Sequence, residues 1–139
     1  MKKHKIGYTD GVYDMFHVGH LNMIEQAKSQ CEQLIVGVHA DEVVYGYKNR
    51  YPVICEADRC RIVGAIKGVD KAVINDTRDK RTLWERYHFD VIFIGDDWKD
   101  TERWKNFEKM FSELNVEVVY LPYTQGISTT YIREKLKCN

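Results

Sequence analysis

The sequence has no net charge, with Lys plus Arg and Asp plus Glu at 21 each. A chain that grips nucleic acid through its phosphates shows a basic excess, so sequence-independent binding to DNA or RNA is not expected. No apolar run approaches the ~18 residues a bilayer span needs, so no membrane insertion is expected. The opening MKKHKIGY has basic residues but no apolar h-region behind them. That argues against a signal peptide and for a cytoplasmic protein. The four cysteines, at 31, 55, 60 and 138, form no Cys-x-x-Cys pair. With no histidine at zinc-ligand spacing beside them, they are expected to be reduced thiols and no protein-held metal is expected. Two phosphate signatures are also missing, the Gly-x-Gly-x-x-Gly turn and the Gly-Lys-Ser/Thr loop.

What is present fits one domain, 1–139, since 139 residues that are 44% hydrophobic and 12% aromatic can fill a single core. Short apolar runs alternate with amphipathic stretches. Strands are expected at 5–12, 33–40, 71–75, 90–95 and 116–122, where β-branched residues sit between polar ones. Helices are expected from Val18 onward and at 56–68, 80–88, 101–115 and 128–137, the last opened by the N-capping run Ser-Thr-Thr. The segment 41–55 mixes Gly, Asn and Pro with cations and is expected to be a loop. Strands alternating with helices predict an α/β fold, a doubly wound, Rossmann-like, five-stranded parallel sheet with helices on both faces. Ligands of such sheets bind beyond the carboxyl ends of the strands. His17 and His20, the 41–55 loop, GDDW (95–98) and TQGISTT (124–130) all fall there.

The stretch DGVYDMFHVGH (10–20) places two imidazoles around Gly19 where a strand turns into a helix. A helix start offers free N–H groups and the positive end of the dipole, which favours a phosphate. The competing reading of His17 and His20 is two ordinary surface histidines. Asp14 either orients the loop and a basic partner or caps the local turn. Trp98 is either a wall of the site or core. Asp41 and Glu42 either attract an ammonium group or cap a helix.

His-Val-Gly-His resembles the His-x-Gly-His signature of the nucleotidyltransferase superfamily, and TQGISTT resembles its second signature, Ile/Val-Ser-Thr/Ser-Thr/Ser. With LIVGVHADE, EADR and AIKGVDKAV, the likeness covers nearly the whole chain and is similar to the cytidylyltransferase branch. The short length and GDDW resemble the bacterial glycerol-3-phosphate members. GVYDMFHVGH, LIVGVHADE and TQG sit as close to the ethanolamine-phosphate enzymes.

The resemblance implies CTP as donor, Mg²⁺ on its triphosphate, a phosphorylated alcohol as acceptor, and a homodimer through the sheet edge. It implies catalytic roles for His17, His20, Lys48 and Arg59. The nucleotide would be held by Val12, Tyr13, Asp14, Gly19, Gly95, Asp97, Thr124, Gly126, Ile127, Ser128, Thr129 and Thr130. The acceptor would meet Lys48, Arg50, Arg81 and Trp98. Such chemistry needs no protein nucleophile, so the lack of a Ser/His/Asp or Cys/His triad costs nothing. Lys67 stands where the glycerol-phosphate members carry Arg, and a bidentate contact is lost there.

One departure stands out. The usual Arg before the last motif is Tyr123 here, so either Arg78 or Arg81 compensates, or acceptor and rate differ from those of the type enzyme. Competing functions are transfer to ethanolamine or choline phosphate, adenylyl transfer within the same superfamily, and a non-catalytic nucleotide-binding module.

Overall fold

Three consecutive residues of the first strand, Gly7, Tyr8 and Thr9, are buried within β1 (His4–Gly11). A strand hidden on both faces belongs in mid-sheet with a layer on each side. The computed structural model, which describes residues 4–122, 124 and 127–137, has β1 there. β2 (Cys31–His39) runs parallel on one flank, with Tyr8 opposite Ile35 and Asp10 opposite Gly37. β3 (Lys71–Asn75) pairs outside β2, β4 (Val91–Gly95) takes the other flank of β1, and β5 (Glu117–Leu121) pairs with β4. The order β3-β2-β1-β4-β5 makes a five-stranded, all-parallel sheet.

The helices are α1 (Val18–Lys28), α2 (Asp41–Lys48), α3 (Glu56–Gly64), α4 (Lys80–Tyr87), α5 (Glu102–Glu113) and α6 (Thr129–Lys137). On one face, Ile24 and Ala27 of α1 and Val63 of α3 pack against Leu34, Val36, Val38 and Phe93. On the other, Leu83 of α4 with Trp104 and Phe111 of α5 covers Tyr8, Phe89 and Ile92. Each fully buried large apolar side chain contributes about 1.5–3 kcal/mol of burial, so both layers are firmly held. The expected doubly wound fold is what the chain adopts. Strand order reverses between β1 and β4, which opens a crevice at their carboxyl ends. No helix among the described residues is long and apolar enough to cross a membrane.

Two local expectations need correction. Residues 41–48 are not loop but helix α2. Gly46 and the β-branched pair Val43-Val44 weaken intrinsic helix propensity, yet buried Val44 docks the turn. Acidic residues in its first turn, Lys48 in its last and Asn49 at φ 57° complete a regular helix with a left-handed C-cap. At the other end of the expected 56–68 helix, α3 stops at Gly64, and the chain turns through Gly68 at φ +103°.

Candidate active site

The segment from β1 to α1 passes through two strained residues, Tyr13 at φ 56° and Met15 at φ 49°. Left-handed backbone costs a side-chain-bearing residue roughly 1–2 kcal/mol, so the turn must be held from outside. Asp14, between them and 1% exposed, does the holding. Its carboxylate accepts from the Val53 and Ile54 backbone N–H groups at 2.8 and 2.9 Å and from Arg133 Nη2 at 2.6 Å. Its carbonyl accepts from Thr129 Oγ1 at 2.8 Å. Of its two readings, Asp14 therefore takes the orienting one, tying the first motif to the 49–55 loop and to α6.

His17 is the N-cap of α1, with Nδ1 accepting from Gly19 N–H at 3.0 Å. His20 Nδ1 accepts from His17 N–H at 3.2 Å, so the two histidines form a reciprocal capping box. A neutral ring that accepts at Nδ1 carries its proton on Nε2. Both imidazoles are thereby locked as Nε2–H donors. Their rings stack, centroids 3.8 Å apart. Burial lowers the His17 pKa, and burial followed by the neighbouring His17 lowers that of His20 to about 3. Both are neutral near pH 7. Gly19 is required here because a Cβ would lie 2.8 Å from His17 Cε1.

The opposite wall is the start of α6. Ser128 Oγ accepts from Tyr131 N–H at 3.0 Å and caps the helix, while Thr124 Oγ1 accepts from Asn22 at 3.2 Å. Gly126, with Tyr123 and Gln125, lies outside the described residues.

These parts line one cleft of about 360 Å³. His17, His20 and Gly19 meet Val12, Tyr13 and Asp14 on one side, and Thr124, Ile127, Ser128, Thr129 and Thr130 on another. Lys48, Arg50, Gly95, Asp97 and Trp98 complete it. Trp98, 38% exposed on the 3₁₀ turn Asp96–Trp98, is thus a wall rather than core. Burial, then the charges of Arg50 and Arg133, lower the Lys48 pKa, so cations crowd this mouth.

Two expected site residues are not brought to the cleft. Arg59 is 1% exposed and its guanidinium is consumed internally. Nε donates to Ile54 O at 2.8 Å, Nη1 to Val12 O at 2.7 Å and His39 O at 2.8 Å, and Nη2 to Asp41 at 2.6 Å. It knits the strand ends together and has no free edge for a ligand, and Asp41 is engaged with it. Arg81 faces solvent and pairs with Glu85 at 3.3 Å, one helical turn along α4. Lys67 is exposed and away from the cleft.

Two charged cleft residues escaped the sequence reading. Arg133 stands one helical turn after Thr129, and that i, i+4 relation to a motif residue was the available signal. It supplies a cation to the α6 wall of the cleft. Asp10 lines the floor and is paired with Lys80 Nζ at 2.7 and 2.9 Å. Burial alone would raise the Asp10 pKa, but Lys80 and His39 together hold it far below the usual carboxylate range. Nothing in the sequence announces this pair.

The arrangement can bind a polyphosphate between two helix N-termini, with neutral N–H donors on one and hydroxyls on the other. The FAD synthase of Korarchaeum cryptofilum is 37% identical over 132 residues, covering 91% of this chain and 88% of that protein. The FAD synthase of Thermococcus kodakarensis is 38% identical over 120 residues, 81% of this chain and 76% of that protein. The bifunctional protein HldE of Koribacter versatilis is 31% identical over 140 residues, 94% of this chain, which spans only 27% of that protein's length. In fold, the chain is similar to a lipopolysaccharide core biosynthesis protein from Thermoplasma volcanium, with TM-score 0.73 and 22% identity over 87% of this chain and 97% of that one. The cytidylyltransferase-like family model matches residues 8–135, and the chain belongs to that family.

Proposed function

We propose that this chain transfers a cytidylyl group from CTP to a phosphorylated alcohol, sn-glycerol 3-phosphate, giving CDP-glycerol and pyrophosphate. The carrying observation is that the N-termini of α1 and α6 face one cleft with Lys48, Arg50 and Arg133 around it. That is a cradle for a triphosphate. A phosphate oxygen of the acceptor attacks the α-phosphorus in line, the bond to the β-phosphate oxygen breaks, and pyrophosphate leaves with the electron pair. The Nε2–H groups of His17 and His20 donate to the oxygens that gain charge. They do so without reorganising, because the capping box has already fixed them. Catalysis is positioning and charge stabilisation, so neither histidine needs to move a proton.

Mg²⁺ enters with the nucleotide and neutralises phosphate oxygens when bound. Among the described residues no three His, Cys, Asp or Glu side chains form a group able to hold a metal alone, which fits a cation carried mainly by the phosphates. For the acceptor, three of the carboxylates near the cleft are already engaged, and Asp97, which also lines it, is assigned to the nucleotide. Asp10 pairs with Lys80, Asp41 with Arg59, and Glu42 accepts from Tyr51. A neutral glycerol head is therefore favoured over a quaternary or primary ammonium, whose burial without a counter-charge is costly. A cytoplasmic homodimer belongs to the same reading.

A second reading, adenylyl transfer from ATP to a flavin phosphate, is favoured by the two archaeal FAD synthases. Pyrophosphate release decides, with CTP, UTP and ATP each paired with glycerol 3-phosphate, phosphoethanolamine, phosphocholine and riboflavin 5′-phosphate. CTP with glycerol 3-phosphate should lead by about tenfold or more in kcat/KM, about 1.4 kcal/mol. A lead for ATP with riboflavin 5′-phosphate would install the second reading. No release from any pair would leave a binding module.

A further inference from the structure

Two cations lie over the ring of Tyr47, and a third stands near. Arg78, in the loop between β3 and α4, lays its guanidinium over that ring with Cζ 3.7 Å from the centroid. Lys48 Nζ lies 5.9 Å from the same centroid. Arg103, in the first turn of α5, lies over the Phe107 ring with Cζ 5.5 Å from its centroid, and its charge is felt at both Tyr47 and Arg78. Among the described residues, none of these three has an ion pair with a carboxylate. The buried acid nearby, Asp10, is committed to Lys80.

The platform itself is fixed. Tyr47 OH bonds with His39 Nδ1 at 3.0 Å, and His39 Nε2 approaches Asp10 at 3.6 Å on the cleft floor. A guanidinium stacked on an aromatic face keeps its N–H edge free, the geometry that meets phosphate oxygens bidentately. Like charges held together without a counter-ion repel one another, and a bound anion relieves that repulsion. This group adjoins the triphosphate cradle, with Lys48 shared between the two.

We propose that Arg78 and Lys48 at Tyr47, with Arg103 beside them, form a second anion subsite that takes the phosphomonoester dianion of the acceptor. The ligand's identity rests on the proposed nucleotidyl transfer. Arg78 occupies the role that resemblance gave to Arg81, which the structure turns toward Glu85. An acceptor bound there extends over Asp10 toward Trp98, while Lys48 touches both its phosphate and the triphosphate.

The test separates the subsite from the reaction. In steady-state kinetics with CTP and glycerol 3-phosphate, Arg78→Ala and Arg103→Ala should each raise the acceptor KM about tenfold or more, the scale of one charge-assisted bond. The nucleotide KM should stay within about twofold, a split that general loosening of the fold would not produce. Arg78→Lys keeps the charge but not the planar fork and should fall between. Independently of turnover, inorganic phosphate is titrated calorimetrically into the full chain carrying His17→Ala and His20→Ala, which weakens the triphosphate side. Adding Arg78→Ala or, separately, Arg103→Ala to that background should weaken phosphate binding about tenfold. If phosphate binding responds but no acceptor turns over, the subsite stands and the transferase reading falls. Unchanged acceptor KM and unchanged phosphate affinity in both alanine variants, or equal shifts in the two KM values, overturn the subsite.

Discussion

Arg133 and Asp14 are 119 positions apart in the chain and 2.6 Å apart in space. Removing the arginine leaves Asp14 its two backbone donors, Val53 and Ile54, so the turn it orients should persist. The cleft, however, loses a cation. Arg133→Ala should raise the nucleotide KM about 10- to 100-fold, from a charge-assisted bond worth about 1.5–3 kcal/mol. Steady-state kinetics at saturating acceptor measures it. A nucleotide KM within twofold of the parent would take Arg133 out of the phosphate-binding set.

His17→Ala or His20→Ala should lower kcat by about 10² or more, the scale of one lost charge-stabilising donor. Both variants should still fold, because the rings cap a helix start and are not core. Circular dichroism melts check the fold and initial rates check the loss. Retention of more than about a third of kcat, well above that scale, contradicts the assigned role.

The buried state of His20 makes a pH prediction with a definite sign. Its pKa falls from the ordinary 6.5 to about 3, first through burial and then through His17. Between those values the unfolded chain takes up a proton that the folded chain refuses, so stability must drop as the pH falls through that window. His20→Asn keeps a short acceptor for the His17 N–H and removes the titration. Urea midpoints across pH 4–7 should therefore be flatter in the variant. Equal slopes would mean that His20 is not held neutral.

Arg59→Ala should act on stability more than on binding. It deprives three carbonyls of their donor and leaves Asp41 unpaired, a loss of roughly 3–5 kcal/mol by the scale of broken buried pairs. Denaturant unfolding measures that loss, and kinetics on the folded fraction should give a nucleotide KM within about threefold of the parent. A stable protein with a large KM change would restore Arg59 to the ligand set.

For the Asp10–Lys80 pair, Asp10→Asn leaves an ammonium buried without a counter-charge and should cost roughly 3 kcal/mol. Combining it with Lys80→Met should recover much of that loss, a non-additivity that a double-mutant cycle reads directly. The pair's contribution is present above the ordinary carboxylate value of 3.8 and is lost as the pH falls below it toward the depressed folded value. Additive losses in the cycle would show that the two side chains do not sustain each other.

Much of this molecule is legible from local sequence. The β-branched runs around Val36 and Val91 announce a parallel sheet, and the spacing of Trp104, Phe107 and Phe111 announces α5. His17 and His20 are legible as a pair because the capping box they form uses neighbouring residues. What escaped depends on distant partners. Asp10 and Lys80 are 70 positions apart, and neither carries a mark of the other. Arg59 shows the converse, since a cation that holds carbonyls and a cation that holds phosphate look alike in sequence. α2 was hidden because Gly46 and two β-branched residues argue against helix, while the burial of Val44 that favours it appears only in three dimensions.

The far wall of the cleft has an unusual attachment. α6 contains no fully buried residue among those described, and its anchors to the rest of the site are Thr129 and Arg133, both on Asp14. Detaching it would uncover little apolar surface, so that step carries a small heat-capacity change. What it breaks is largely electrostatic, and added salt weakens such bonds where they reach solvent. Ionic strength, more than temperature, then governs how firmly this wall is seated.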